Sequence, residues 1–74
     1  MTSIVGRQAK RVRLHAPAHA AELGSLGTTV EETHKSLGDL SLTVLDGGHV
    51  LVKSDSKKTE LVLYASNIID VVLK

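Results

Sequence analysis

The stretch LVLYASNIIDVVLK, residues 61–74, decides the fold that the sequence predicts. Two apolar runs rich in β-branched residues flank three small residues, Ala65, Ser66 and Asn67. A two-residue hairpin would favour glycine at this joint, because its turn needs positive φ angles. Ala-Ser-Asn is instead typical of a single turn of 3₁₀ helix, capped by a side-chain hydrogen bond from Ser66 or Asn67. We therefore expect a strand, one 3₁₀ turn and a second strand.

Both runs are apolar on two faces. Side chains alternate across a strand, so Leu61 and Leu63 point to one side of the first run. A small domain has one core, so only one of the two apolar faces can fill it. The other face must be covered by the segment 15–39 or by another chain. After the turn, the inward face carries Ile69, Val71 and Leu73. The second apolar face consists of Val62, Tyr64, Ile68 and Val72.

Further strands precede this stretch. LSLTVLD (40–46) and HVLVKS (49–54) alternate apolar and polar residues and flank Gly47-Gly48. Asp-Gly or Gly-Gly between two alternating runs is a strong signal for a β-hairpin. A polar turn, DSKK (55–58), then leads into TELVLYA (59–65) as the next strand. The second half of the chain is therefore predicted to be β-structured.

The first half of the chain has a less regular pattern. KRVRLH (10–15) places two apolar residues on one face and basic residues on the other, as in a half-buried strand. Pro17 should end that strand and begin a short helix over 17–23. The segment 28–38 has the capping residues and terminal charges of a second helix, although its TTV triplet favours a strand, and both alternatives stay open. Both segments form an excursion, helical or irregular, between the first and second strands.

The composition indicates one small domain that spans residues 1–74. Hydrophobic residues make up 42% of the chain, which is typical of a globular protein. There is no cysteine, so disulfides and thiolate zinc sites are excluded. No apolar run approaches the length of about 18 residues that would indicate a transmembrane helix. The first residues lack the apolar core of a secretion signal, so we expect a cytoplasmic protein without membrane association.

From residue 40 to residue 74 the chain resembles the closing strands of SH3-like and Sm-like small β-barrels. The hairpin at Asp46-Gly47-Gly48 and the corner Ala65-Ser66-Asn67-Ile68 carry the resemblance. It implies a mainly β fold, a five-stranded barrel whose last strand lies beside the first. Barrels of this kind usually bind nucleic acids or proteins, and several small phage-encoded regulators belong to them. The loops DGGH and YASN lack the arginine-glycine pair of Sm proteins, so the resemblance does not extend to an Sm-type RNA pocket.

Charge is unevenly distributed, although the formal net charge is only +1. Residues 1–15 contain basic side chains and no acid, which predicts a basic face that can meet phosphates. The alternative is an ordinary solvated face whose charges protect a strand edge. With a single tyrosine as its only aromatic residue, the chain cannot build a platform for stacking bases. The candidate nucleic-acid-binding residues are Arg7, Lys10, Arg11, Arg13 and His15.

No motif for catalysis or for cofactor binding is evident. The chain has four histidines, but Pro17 separates His15 from His19 and breaks the helical spacing that a shared metal would need. Asp46-Gly47-Gly48 lacks the Lys-Ser/Thr of a phosphate loop, and no nucleophile motif accompanies the serines. We expect no enzyme activity, no metal and no cofactor.

The leading hypothesis is a small non-enzymatic regulator or adaptor that binds a protein. The expected target belongs to a transcription or other nucleic-acid machine. The contact surface combines acidic residues with the second apolar face, which also allows a homo-oligomer. The alternative is direct, weakly specific nucleic-acid binding through the basic first strand. The candidate interface residues are Glu31, Glu32, Val62, Tyr64, Ile68 and Val72.

Overall fold

A computed structural model describes residues 4–34 and 37–74 of the chain. These residues form eight strands and one short 3₁₀ turn between the last two strands. The prediction of a mainly β protein is confirmed. The strands are β1 (Ile4–Ala20), β2 (Gly24–Glu31), β3 (Thr33–His34), β4 (Gly38–Asp39), β5 (Ser41–Leu45), β6 (Val50–Ser54), β7 (Thr59–Leu63) and β8 (Ile68–Leu73), and the 3₁₀ turn is Ala65–Asn67.

β1 is the central strand of the main sheet, because other strands pair with both of its edges. Val12 lies opposite Val30 of β2 on one side and opposite Val71 of β8 on the other. Beyond the end of β2, β5 continues along β1 and pairs Thr43 with Gln8. β6 then pairs with β5, and β7 with β6, all antiparallel. β8 therefore lies along one edge of β1, while β2 and β5 follow each other along the other edge. β6 and β7 extend the sheet from β5, and the β3–β4 hairpin is inserted in the chain between β2 and β5.

The main sheet is not closed. Within residues 4–34 and 37–74, β7 pairs with β6 alone and β8 with β1 alone, so no ladder joins β7 to β8. The pairing of β1 with β8 also stops at Leu14, opposite Ile68, although β1 runs on to Ala20. An opening therefore remains between β7 and the distal end of β1.

The core consists of aliphatic side chains from β1, β2, β5, β6 and β7, with Leu23 and Leu40 added from connections. Each large aliphatic side chain that is fully buried contributes roughly 1.5–3 kcal/mol, the main source of stability in a chain without disulfides. Tyr64, the only tyrosine, is not part of it. The buried hydrophobic residues are Ala9, Val12, Leu14, Ala18, Leu23, Leu26, Val30, Leu40, Leu42, Val50, Val52 and Leu63.

The second half of the chain folds as its sequence predicts. The hairpin between β5 and β6 turns at Gly47 and Gly48, whose φ angles are +90° and +88°. β7 is followed by the 3₁₀ turn at Ala65–Asn67, and β8 returns beside β1. These predictions are confirmed, because turn geometry is a local property that a few residues determine.

The prediction that Pro17 ends the first strand and begins a helix is wrong. β1 continues through Pro17 to Ala20, and a turn follows at 21–23. Proline is tolerated here because the β1–β2 register is irregular between Arg13 and Ala18, so no ladder hydrogen bond is required from its nitrogen. The segment 17–23 is therefore not a helix.

The excursion over 28–38 is a strand and a hairpin rather than a helix or an irregular segment. β2 continues to Glu31 and the β3–β4 hairpin follows, while residues 35 and 36 of the predicted helix lie outside the described residues. Gly27 has a φ of +72° and lies at a register shift, which resets the side-chain alternation of β2. As a result, Thr28 is exposed although it lies between the buried residues Leu26 and Val30, whose side chains would share its face in a regular strand.

Asn67 ties the 3₁₀ turn to β1. The predicted cap is wrong, since within this described turn no side-chain hydrogen bond caps the helix. Instead, Oδ1 of Asn67 accepts a hydrogen bond from the Ala16 N–H (2.9 Å), and Nδ2 donates to the Ala16 carbonyl (3.1 Å). The side-chain amide thereby takes the place of the strand partner that β1 lacks after Leu14 on the edge that pairs with β8.

Replacing Asn67 with aspartate should lower the free energy of unfolding by about 1 kcal/mol, because the carboxylate cannot donate to the Ala16 carbonyl. Urea denaturation followed by circular dichroism measures the change. Ser66→Ala in the same turn is the matched control, and this exposed position should stay within about 0.5 kcal/mol of the wild type. Equal stability of N67D and the wild type would show that the Asn67 contact does not hold the corner.

Candidate functional site

Residues from both sequence hypotheses meet on one face of the sheet. On the exposed side of β1, Arg11 lies opposite Glu31 of β2 and opposite Val72 of β8. Two residues further on, Arg13 lies opposite Asp70 of β8. We call these five residues, Arg11, Arg13, Glu31, Asp70 and Val72, the mixed-charge face.

Arg13 and Asp70 form a bidentate ion pair on this face. Nε of Arg13 lies 2.9 Å from each carboxylate oxygen of Asp70, and Nη2 also donates to Oδ2. These hydrogen bonds hold the pKa of Asp70 below its ordinary value, against the opposing effect of burial, and the charges of Arg13 and Arg11 add to the lowering. The same contact raises the pKa of Arg13. Because the two side chains are 54% and 42% exposed, water screens the pair and its contribution to stability is small.

The predicted basic patch is therefore interleaved with acids. Arg13 is engaged by Asp70, and Arg11 faces Glu31 across the β1–β2 ladder. A phosphate backbone that approached this face would meet carboxylates as well as cations. The number of phosphates that the face can neutralise is correspondingly smaller than the sequence of β1 alone indicates.

Acidic and basic candidates also meet at the end of β2. Lys10 lines a shallow depression of about 200 Å³ together with Glu31, Glu32 and Thr33. Glu32 in turn forms an ion pair with Lys74, with 2.6 Å between Oε2 and Nζ. The acidic pair that the sequence assigned to a protein interface thus adjoins the residues it assigned to nucleic acid.

The remaining basic candidates lie towards the two ends of β1. Arg7 is exposed and lies opposite Val44 of β5, and His15 is exposed just after the last residue that pairs with β8. In the part of the chain that the structure describes, no ion pair within 4.0 Å involves Arg7, Lys10, Arg11 or His15.

A second candidate site lies in the opening of the sheet. A groove of about 170 Å³ is lined by side chains from β7, from the distal end of β1 and from the 3₁₀ turn. No sequence pattern marks this groove, because it depends on where the pairing of β1 with β8 stops. We call this site the β7 groove; its residues are Ala18, His19, Leu61, Val62, Leu63, Tyr64 and Asn67.

Tyr64 is the most exposed large apolar residue of the β7 groove. It is 67% exposed, and Val62, two residues earlier, is 41% exposed. His49 from the β5–β6 hairpin contacts the tyrosine edge-on, with ring centroids 5.8 Å apart. Aromatic rings that are positioned by a neighbour and open to solvent are well suited to contact a partner.

The second apolar face differs from its prediction at one isoleucine. Leu14 of β1 pairs with Ile68, while the residue before Leu14 pairs with Asp70, so Ile69 has no partner opposite it. This bulge turns Ile68 toward the core, where it is half-buried, and leaves Ile69 51% exposed. The assignment of Ile68 to the exposed face is thus wrong, and no sequence signal marks the bulge. The other members, Val62, Tyr64 and Val72, are exposed as expected.

A third, wide depression of about 690 Å³ surrounds the β6–β7 turn. Lys53 and Glu60 line it and form an ion pair with 3.7 Å between Nζ and Oε1. Among residues 4–34 and 37–74, no group of three or more His, Cys, Asp or Glu side chains is placed to hold a metal ion.

No protein-family model matches the chain, and neither a curated protein nor a solved structure matches it. The described residues include no helix with the length and hydrophobicity needed to cross a membrane. Function must therefore be inferred from the side chains of the mixed-charge face and the β7 groove.

Replacing Arg13 with glutamine should raise the pKa of Asp70 toward its ordinary value, because the carboxylate loses its ionic hydrogen bonds. An NMR titration of the Asp70 carboxyl carbon measures the shift, and Arg11→Gln should give a smaller one, since Arg11 acts through its charge alone. An Asp70 midpoint that R13Q leaves unchanged would contradict the ion pair.

The lowered pKa of Asp70 also determines how the stability of the folded state depends on pH. The pair stabilises the folded state above the ordinary aspartate pKa, roughly 3.9, and that contribution is lost as the pH falls through the lower value of the folded protein. In R13Q this acid-dependent contribution should therefore shrink.

Proposed function

We propose that this protein is a small, non-enzymatic binding module that acts through a protein partner as a regulator or adaptor. The observation that carries the proposal is the exposure of Tyr64, the only tyrosine in a chain without Phe or Trp, beside Val62 at the opening of the sheet. The core packs without an aromatic ring, so Tyr64 is not needed to fill it. Tyrosine is enriched among the residues that dominate binding energy at protein interfaces.

Exposed apolar residues on the edge strands β7 and β8 support the same proposal. The aliphatic residues of the segment 15–39 enter the core, so they do not cover the second apolar face. A partner that buried an exposed side chain of this size would gain at most roughly 1.5–3 kcal/mol, less where the side chain is already partly covered. The exposed large hydrophobic residues are Val62, Tyr64, Ile69 and Val72.

The module belongs, in this proposal, to the SH3-like or Sm-like small barrels, with a barrel that is incompletely closed. β2 and β5 follow each other along the same edge of β1 and act as one interrupted strand. Counted this way, the strand order is that of a five-stranded barrel, as the resemblance over residues 40–74 implies. On the same resemblance we assign the protein to the cytoplasm and its partner to a transcription or other nucleic-acid machine.

Direct nucleic-acid binding is the second candidate function. Arg7, Lys10 and Arg11 favour it, because they are exposed and form no ion pair within 4.0 Å with a described residue. Glu31 and Asp70 oppose it, since they share the mixed-charge face. With about three phosphates neutralised, the logarithm of the binding constant should fall against log salt with a slope of about −3 or shallower.

The proposal predicts that a charge placed on the second apolar face abolishes capture of partner proteins from an extract of the source cells. Immobilised wild type, Val62→Asp and Val72→Asp are compared by quantitative mass spectrometry after nuclease treatment. At least one protein should be depleted about tenfold or more by one of the variants, because a buried, unpaired charge strongly disfavours an interface.

Two controls make the capture interpretable. Each variant must first keep the amide spectrum of the folded wild type, and Ser66→Ala, an exposed change outside both candidate sites, should retain every captured protein. Equal capture by all variants would contradict the proposal. Loss of all captured proteins on nuclease treatment, together with salt-sensitive shifts of β1 amides on addition of duplex DNA, would favour the second candidate.

A further inference from the structure

We infer that the outer edge of β7 is a docking site for an extended peptide segment, which adds to the sheet as an antiparallel strand. The inference rests on the proposed function and names the class of partner. That partner is an unstructured segment of another protein, with apolar side chains at alternate positions and acidic residues at its C-terminal end.

The backbone of β7 is available for such pairing. β7 pairs with β6 over its whole length, from Thr59 opposite Ser54 to Leu63 opposite Val50, and no other described strand pairs with it. Its outer edge therefore presents backbone N–H and C=O groups without a ladder partner. An added strand would satisfy these groups with main-chain hydrogen bonds, which provide affinity without depending on sequence.

The side chains of β7 do not protect this edge. Exposed edges are commonly protected by charged side chains, by proline or by a bulge. β7 contains one charged residue, Glu60, which is paired with Lys53 of β6, and its register with β6 is regular. The exposed Val62 and the adjoining Tyr64 instead make the edge apolar.

The β7 groove supplies the side-chain selectivity. Alternate side chains of an added strand point to the same face of the sheet. Those that lie opposite Leu61 and Leu63 would enter the groove toward Ala18 of β1. The intervening side chain would lie beside Val62 on the exposed face, where threonine or a β-branched residue packs well.

Charge sets the direction and the flanking residues of the segment. The turn before β7 carries Lys57 and Lys58 against Asp55, a net charge of 2 − 1 = +1, and neither lysine forms an ion pair within 4.0 Å with a described residue. An antiparallel strand places its C-terminal end beside Thr59, next to these lysines. Every ladder of the described sheet is antiparallel, and this arrangement is slightly more stable than a parallel one. Acidic residues at the C-terminal end therefore complement the site.

A set of synthetic peptides tests the inference on the full chain. The probe is acetyl-TVTVTVDD-amide, and two further versions carry N-methyl groups on one or the other alternate set of residues. In an added strand, only one alternate set of N–H groups points at β7. We expect the probe to shift the amide signals of residues 59–64, one N-methylated version to bind about tenfold more weakly or not at all, and the other to bind like the probe.

Charge and position are tested by three further comparisons. A probe with lysines in place of both aspartates should bind about two- to fivefold more weakly at low ionic strength, a difference that salt removes. Val62→Lys should weaken probe binding about tenfold, because it adds a charge at the edge that natural sheets use against strand addition. Thr28→Lys, which adds the same charge at an exposed position of β2 outside both candidate sites, should leave probe binding unchanged.

Several results would overturn the inference. They are the absence of shifts at millimolar probe, shifts confined to the mixed-charge face, or equal effects of both N-methylation patterns. Concentration-dependent changes at 59–63 without peptide would show that a second copy of the chain occupies the edge. If the probes fail while Val72→Asp still abolishes capture from extract, the inference fails and the proposed function stands; if capture is also unaffected, both fail.

Discussion

The antiparallel pairing of β1 with strands on both of its edges is the constraint on which the rest of the structure depends. Val12 is fully buried between Val30 of β2 and Val71 of β8, so the two halves of the chain meet at this row. The aliphatic core forms around that contact, without disulfides or aromatic rings. Because β8 stops at the residue opposite Leu14 while β1 continues, the same pairing also creates the opening that contains the β7 groove.

The opening is treated differently on its two sides. On the β1 side, the amide of Asn67 bonds both the N–H and the carbonyl of Ala16, so one residue of that edge is satisfied by a side chain. On the β7 side, no described strand takes the corresponding place, and Val62 and Tyr64 lie exposed beside it. This asymmetry distinguishes an edge that the fold completes by itself from one that stays open, and the proposed docking site is placed at the open edge for this reason.

The parts of the fold that could be predicted are those determined by neighbouring residues. Two glycines, which adopt positive φ in the structure, predict the β5–β6 hairpin, and the small residues 65–67 predict the 3₁₀ turn. In the first half, capping residues and terminal charges favoured a helix over 28–38, but pairing with β1, which is distant in sequence, places 28–31 in β2. For the candidate site, the sequence identifies the charged residues. It does not predict the strand register that places Arg11 opposite Glu31 and leaves Ile69 unpaired, because that register depends on contacts between residues distant in sequence.

The most direct test of this account is site-resolved amide hydrogen exchange in the free protein. Amides of β1 around Val12 belong to ladders on both edges, so they should exchange only through global unfolding. In β7, the amides that bond β6 should be protected, and the alternate, outward ones should exchange far faster, as expected for an open edge. Uniform protection along β7 would contradict the account, because the edge would then already be paired, within the chain or with a second copy.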